Sequence, residues 1–248
     1  MVTIKSRSEI EKMRAAGKIT GDALREIEKH IKAGISTLEL DKIAFDFIKK
    51  QGATPSFLHY NGFPGSICAS PNSWVVHGIP SKNIVLKEGD IISIDMGAQK
   101  DGYHGDAART YAVGKVSDEA KKLIEVTKQS FFEGIKYATH GAKLGDVSSA
   151  IQEYVEKNGF SVVRDLVGHG IGKNLHEDPN VPNFGHKGRG LKLAQGMTIA
   201  VEPMVNAGGY EVVQLDDGWT VETEDGSLSA HYENTILITK GECEILTL

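Results

Sequence analysis

Apolar residues along the chain alternate between two regimes. Near the N-terminus Ile10, Met13, Leu24, Ile27 and Ile31 recur at helical spacing, and Ser8 with Glu11 reads as a capping box that starts the helix. A second helix is predicted from Thr37 to Gln51, opened by Ser36 with Glu39 and closed by Gly52. The period then changes to two. The segments "VVHGI", "DIISIDMGAQ" and "ARTYAVG" read as strands from their β-branched residues and alternation. The same succession restarts near Ser117, with helices over about 117–138 and 145–158 and a stop at Gly159. Strands follow at "FSVV", "MTIAVEPMV", "GYEVVQ", "WTVETED" and "NTILIT".

The restart is a repeat. Shifted by 107 positions, Gly34 falls on Gly141, Gly52 on Gly159, Gly89 on Gly196 and Asp95 on Glu202. "EGDIISID" thus lies on "QGMTIAVE": a turn glycine, a buried strand, then a carboxylate that ends the strand. "HGDAARTYAV" also aligns with "HYENTILIT", Asp106 on Glu233, at a shift of 127; the difference is an insert around "QLDDGWTVETED". No linker of Pro, Ser or charge runs divides the repeats. The expectation is a single α+β domain over 1–248, made of halves at about 8–115 and 116–248 related by a pseudo-two-fold axis.

Composition narrows the class. The 248 residues are 40% hydrophobic and 25% charged, with net charge −5, as in ordinary globular proteins. That balance gives no sign of a nucleic-acid partner. Two cysteines do not make a disulfide scaffold, the polar start "MVTIKSRSEIEK" has no apolar core of a signal peptide, and no run of ~18 apolar residues is present to span a membrane. The cytoplasm is the expected location.

The repeat also concentrates acids. Asp95, Glu202, Asp106 and Glu233 would converge where the matched strands meet, and four ionised carboxylates in one cleft need counter-charge. Two divalent cations bridged by carboxylates, ~3.5–4 Å apart, supply it and can activate a water for hydrolysis. His169 would add one imidazole to this mostly oxygen set, which suits Mn, Fe, Co or Zn. Taken singly, an acid at a strand end is usually a turn or cap residue; the repeated set with His169 favours the metal reading.

A competing signal is the glycine-rich "VGHGIGKN" at 167–174. A phosphate-binding Walker loop needs a first glycine where Val167 stands and a Ser or Thr where Asn174 stands, and a dinucleotide fingerprint needs glycine in place of Lys173. The glycines are therefore expected to bend the backbone so that His169 reaches the metals, with Lys173 facing solvent.

At this point the chain closely resembles the type I methionine aminopeptidases, in the short form without an N-terminal extension. The resemblance covers essentially the whole length. It is carried by "HGIP" at 77–80, "IDMGAQKDGYHGDAART" at 94–110, "VGHGIG" at 167–172, "LHEDPNVPNFG" at 175–185, "AVEPM" at 200–204 and "AHYENT" at 230–235. It implies the pita-bread fold and a dinuclear centre held by Asp95, Asp106, His169, Glu202 and Glu233. It implies removal of the initiator methionine from nascent chains with a small second residue. Glu202 would serve as general base, His176 as donor to the oxyanion, and His77 as a contact to the peptide beyond the cut. Tyr60, Phe63, Cys68, Leu175 and Trp219 would line the methionine pocket. Leu175 stands where relatives often have Phe, and Asn61 where some have His. The resemblance further implies a monovalent cation near Asn72 and Ser229, a monomer, and association with the ribosome. Two alternatives are another enzyme of this fold, such as an X-Pro peptidase or a creatinase-like amidinohydrolase, and a non-catalytic binding protein. The first usually carries an extra N-terminal domain, and the second loses metal ligands that are all present here.

Overall fold

A computed structural model describes residues 2–248. The first half contributes helices α1 (Arg7–Glu28) and α2 (Thr37–Lys50) and strands β1 (Thr54–Pro55), β2 (Ile67–Pro71), β3 (Trp74–Val76), β4 (Ile91–Lys100) and β5 (Tyr103–Ala112). The second contributes α3 (Asp118–Ile135), α4 (Leu144–Lys157), β6 (Ser161–Val162), β7 (Gly168–Gly170), β8 (Glu177–Val181), β9 (Thr198–Val201) and β10 (Met204–Asn206). It ends with β11 (Val212–Gln214), β12 (Val221–Thr223), β13 (Ser229–His231), β14 (Asn234–Leu237) and β15 (Glu244–Ile245).

Sequence and structure differ at the first helix start. The cap is Ser6 with Glu9, whose carboxylate accepts the Ser6 N–H at 2.9 Å, and not Ser8 with Glu11. Two overlapping Ser-x-x-Glu patterns compete there. The earlier one wins because the chain is already pinned at Lys5, whose N–H donates to the Gly196 carbonyl at 2.8 Å. The predicted strand "VVHGI" stops at Val76: His77 takes φ +60°, and Gly78 turns back to donate to Ser70 Oγ at 3.1 Å.

The halves match in conformation as well as sequence. Gly34 and Gly141 have φ of +91° and +93°, and Gly89 and Gly196 of +94° and +89°. Gly34 N–H donates to Leu86 O at 2.8 Å and Gly141 N–H to Leu193 O at 2.9 Å, which are equivalent bonds under the same 107-residue shift. In each half a helix pair covers a sheet. In the first, Ile94, Met96 and Ala98 of β4 pack against Ala23, Leu24, Ile27 and Ala44. The fit is close enough that a Cβ on Gly105 of β5 would lie 2.7 Å from the Gly17 backbone of α1. In the second, Phe131 and Val147 sit in the core with Ile199, Val201 and Ile236.

The strand ladders are antiparallel. The first half's sheet runs β1-β4-β2 with β5 paired to β4, and the second half's runs β15-β14-β9-β7-β8. Two three-stranded sheets, β13-β10-β6 and β11-β12-β3, complete the fold; the latter joins a second-half hairpin to a first-half strand. The halves are sewn together at β5. Glu233 N–H donates to Ala108 O at 3.0 Å, Asp106 N–H to Thr235 Oγ1 at 3.0 Å, and Arg109 Nη1 to Glu233 O at 2.5 Å.

Candidate metal centre

The seam carries the acids, but they arrive by two different routes. Asp95 and Asp106 sit within long unbroken strands, with Gly97 opposite Asp106 in the β4–β5 register. The expectation that Asp95 ends its strand is therefore corrected: β4 runs on to Lys100. Glu202 and Glu233 instead sit at strand breaks. Pro203 has no N–H to donate, so the predicted strand "MTIAVEPMV" splits into β9 and β10, which join different sheets. A matching break separates β13 from β14 at Tyr232–Glu233. Each break frees a glutamate side chain to turn into the seam.

His169 comes from β7, not from a bent glycine loop. Gly168 and Gly170 are strand residues whose φ is not positive; their need for glycine is close approach. A Cβ on Gly168 would lie 2.4 Å from Ala200 O, and one on Gly170 would lie 2.1 Å from Asp178 O. The ring's Nδ1–H donates to the Gly170 carbonyl at 2.8 Å, which leaves the Nε2 lone pair facing the acids. Nε2 lies 3.7 Å from Asp106 Oδ2 and 3.6 Å from Glu202 Oε1. Burial, with the neighbouring His176, pushes His169 down to about 3, so the ring is neutral.

The four carboxyls are buried together. Burial raises Asp95 to about 7 and, with the repulsion of the neighbouring acids, raises Asp106, Glu202 and Glu233 well above the usual range. Asp95 Oδ1, Asp106 Oδ1 and Glu233 Oε1 are buried without a hydrogen-bond partner. Asp106, His169 and Glu233 offer donor atoms within 4.8 Å of one another, and so do Glu202, His231 and Glu233. Orphaned acceptors beside a neutral imidazole fit divalent cations. His231 was not singled out from the sequence. Its signal was its place two residues before Glu233 in "AHYENT".

Above the acids opens a cavity of about 450 Å³. All five candidate ligands line it, as do His77, His176, Tyr60, Phe63, Cys68, Leu175 and Trp219. Phe57, Val76, Leu166, Val167 and Met204, which sequence reasoning missed, complete its apolar wall. His176 stands at the exposed rim, its ring centroid 4.2 Å from that of His169 and its Nδ1 2.7 Å from Tyr60 Oη. Trp219 is carried over the opening by the β11–β12 turn, edge-on to Phe63 at 5.1 Å and to His77 at 6.5 Å. Burial lowers His77 to about 4 and holds the Cys68 thiol protonated, well above its usual value. Asn61 also lines the cavity. Lys173 is exposed, 3.7 Å from Glu9.

Two matched halves with buried acids and imidazoles at their seam are the architecture of a metal-dependent hydrolase. The chain belongs to metallopeptidase family M24, whose model matches residues 11–240. It is 59% identical to the methionine aminopeptidase of Clostridium acetobutylicum over 248 residues, covering 100% of this chain and 99% of that one. The crystal structure of methionine aminopeptidase from Rickettsia prowazekii superposes with a TM-score of 0.98 at 47% identity, covering both chains completely. X-Pro aminopeptidase from Thermotoga maritima shares the fold at a TM-score of 0.78 and 25% identity, but this chain spans only 62% of it.

Proposed function

We propose that this protein is a methionyl aminopeptidase of the short type I form, which hydrolyses the first peptide bond of nascent chains that begin with methionine and a small residue. The observation that carries the reading is the set of orphaned buried carboxylate oxygens beside His169, at the foot of a cavity with apolar walls. In this reading Asp95, Asp106, His169, Glu202 and Glu233 hold two divalent ions drawn from Co, Mn, Fe or Zn. When bound, such ions lower the pKa of a water and polarise the scissile carbonyl.

The chain's own residues do the rest. Glu202 accepts the water's proton as its oxygen bonds to the carbonyl carbon, then returns it to the amide nitrogen as the C–N bond breaks. Free methionine and a shortened chain leave. His176 Nδ1 lies 2.7 Å from Tyr60 Oη; with the tyrosine hydroxyl as donor, the ring proton is on Nε2, where it can meet the developing oxyanion. His77, neutral, contacts the peptide beyond the cut. Tyr60, Phe63, Cys68, Leu175 and Trp219 enclose the methionine side chain, and the protonated Cys68 thiol fits such an apolar wall. The α-amine, bound as a neutral amine, explains action at chain ends only.

Further readings follow from the same assignment. Residues 1–248 form one catalytic domain with halves 8–115 and 116–248, supported by the matched bonds at Gly34 and Gly141. A monovalent cation sits near Asn72 and Ser229, which meet through the Ser229 N–H and the Asn72 carbonyl at 2.9 Å. The enzyme works as a cytoplasmic monomer at the ribosome, where its nascent substrates emerge; both cysteines are free, as a reducing compartment requires. No helix among the described residues is long and apolar enough to cross a membrane.

The test is direct. Metal-free protein is incubated with Met-Gly-Met-Met and with an Ala-Pro peptide, and Mn, Co, Fe or Zn is added singly. Metal-dependent release of free methionine is expected. Cleavage of the X-Pro peptide alone would reassign the substrate, and silence with every metal would make the chain a binding protein.

A further inference from the structure

His231 is 1% exposed, and neither of its ring nitrogens has a hydrogen-bond partner. A buried imidazole left this way costs free energy unless something outside the protein satisfies it. Its surroundings are acidic. Nε2 lies 3.8 Å from Glu202 Oε2 and 3.9 Å from Glu233 Oε2. Both separations are too long for hydrogen bonds. Both suit two ligands of one ion, because donors held at ~2.0–2.2 Å from a shared cation stand roughly 3–4 Å apart. His169 stands in the same relation to its own two acids, at 3.7 and 3.6 Å. The Glu202 carboxylate is divided between the rings, Oε1 toward His169 and Oε2 toward His231.

The backbone holds this arrangement from both sides. His231 N–H donates to Thr110 Oγ1 at 2.8 Å, and the Thr110 hydroxyl donates to His231 O at 2.9 Å. In the β10–β13 register His231 lies opposite Met204, two residues beyond Glu202. The ring is therefore delivered to the seam by the same pair of strand breaks that delivers Glu202 and Glu233.

We propose that His231 is a second imidazole ligand of the metal centre, forming with Glu202 and Glu233 one half-site that faces the half-site of Asp106, His169 and Glu233. The proposal rests on the dinuclear reading above. It makes the centre richer in nitrogen than five ligands with a single histidine. Imidazole suits Zn, Co and Fe better than Mn, so the affinity of one half-site is biased toward those ions.

The test uses the full-length metal-free protein and its His231→Gln variant, titrated with Co(II) in a calorimeter, together with proton NMR of the Co(II)-loaded proteins. Wild type is expected to take up two equivalents. The variant is expected to keep one with affinity within about twofold and to bind the other at least about tenfold more weakly. Wild type loaded with two Co(II) ions is expected to give two strongly shifted, solvent-exchangeable imidazole N–H resonances, one of which His231→Gln removes. Two unaltered equivalents in the variant and a single such resonance in wild type would overturn the proposal. If the variant does not fold, or if the two readouts part, the wild-type resonance count decides. Uptake of fewer than two equivalents by wild type would overturn the dinuclear reading, and this proposal with it.

Discussion

Lys5→Met should destabilise this protein far more than a substitution near a chain terminus normally does. Lys5 Nζ lies 2.7 Å from Glu177 Oε2, with side-chain exposures of only 5% and 9%. Glu177 also accepts from Thr3 Oγ1 at 2.7 Å and from Asn174 N–H at 3.1 Å. Removing the lysine leaves the carboxylate buried with neutral donors only. Breaking a buried pair from one side costs ~3–5 kcal/mol, and the two surviving hydrogen bonds argue for the lower end, about 3 kcal/mol. For a chain of this size each kcal/mol moves the midpoint by ~2–4 °C, so Tm should fall by roughly 6–12 °C. Thermal unfolding of the chelated protein at pH 7 reads this without interference from bound metal. The double variant Lys5→Met/Glu177→Leu removes both charges and should recover most of the loss, since well-packed apolar replacements of buried pairs are often neutral. A single variant within about 2 °C of wild type would refute the reasoning, as would a double variant that loses as much as both singles together.

Other outcomes follow from the site. His176→Ala should lower kcat by ~10²–10³-fold with metal content nearly intact, and Tyr60→Phe should lower it by ~5–10-fold; loss of metal from His176→Ala would show that the roles are misassigned. Gly170→Ala should lower Tm and metal uptake together, because its Cβ would stand 2.1 Å from Asp178 O and would push β7, with His169, off its neighbours; a metal content equal to wild type would contradict this. In the metal-free protein Asp95 is raised to about 7, above its unfolded value, so the folded state holds the extra proton and stability should fall as pH rises from about 4 through 7. Metal binding at pH 6 should accordingly release more protons than at pH 8, measured as the dependence of binding heat on buffer; no buffer dependence at pH 6 would count against it.

Much of the fold was legible because the two glycine-bounded helix pairs and the β4 pattern repeat at one offset. What escaped was the strands that owe their existence to partners. "GHG" and "SAH" have no β propensity of their own; β7 and β13 form because β8, β9 and β10 pair with them. The Ser6 cap was missed because a second Ser-x-x-Glu lay two residues on, and only the tertiary bond at Lys5 decides between them. Asp95, Asp106, Glu202 and Glu233 could be grouped from the repeat alone. His231 is set on His104 by the 127-residue shift, but the His104 ring meets Ser56 and Gln99 instead, so the repeat alone does not place His231 with the acids. Phe57, Val76, Leu166 and Met204 looked like ordinary core, and their place on the cavity wall depends on how the halves meet.

The seam has a consequence for how the molecule fails. Asp95 and Asp106 belong to one half, and His169, His231, Glu202 and Glu233 to the other. An ion held by both is a removable clasp between the two halves. Neither half alone can assemble the full set of donors, so hydrolysis should need both halves docked together. Occupancy of the half-site that includes Asp106 then reports that the two halves have met.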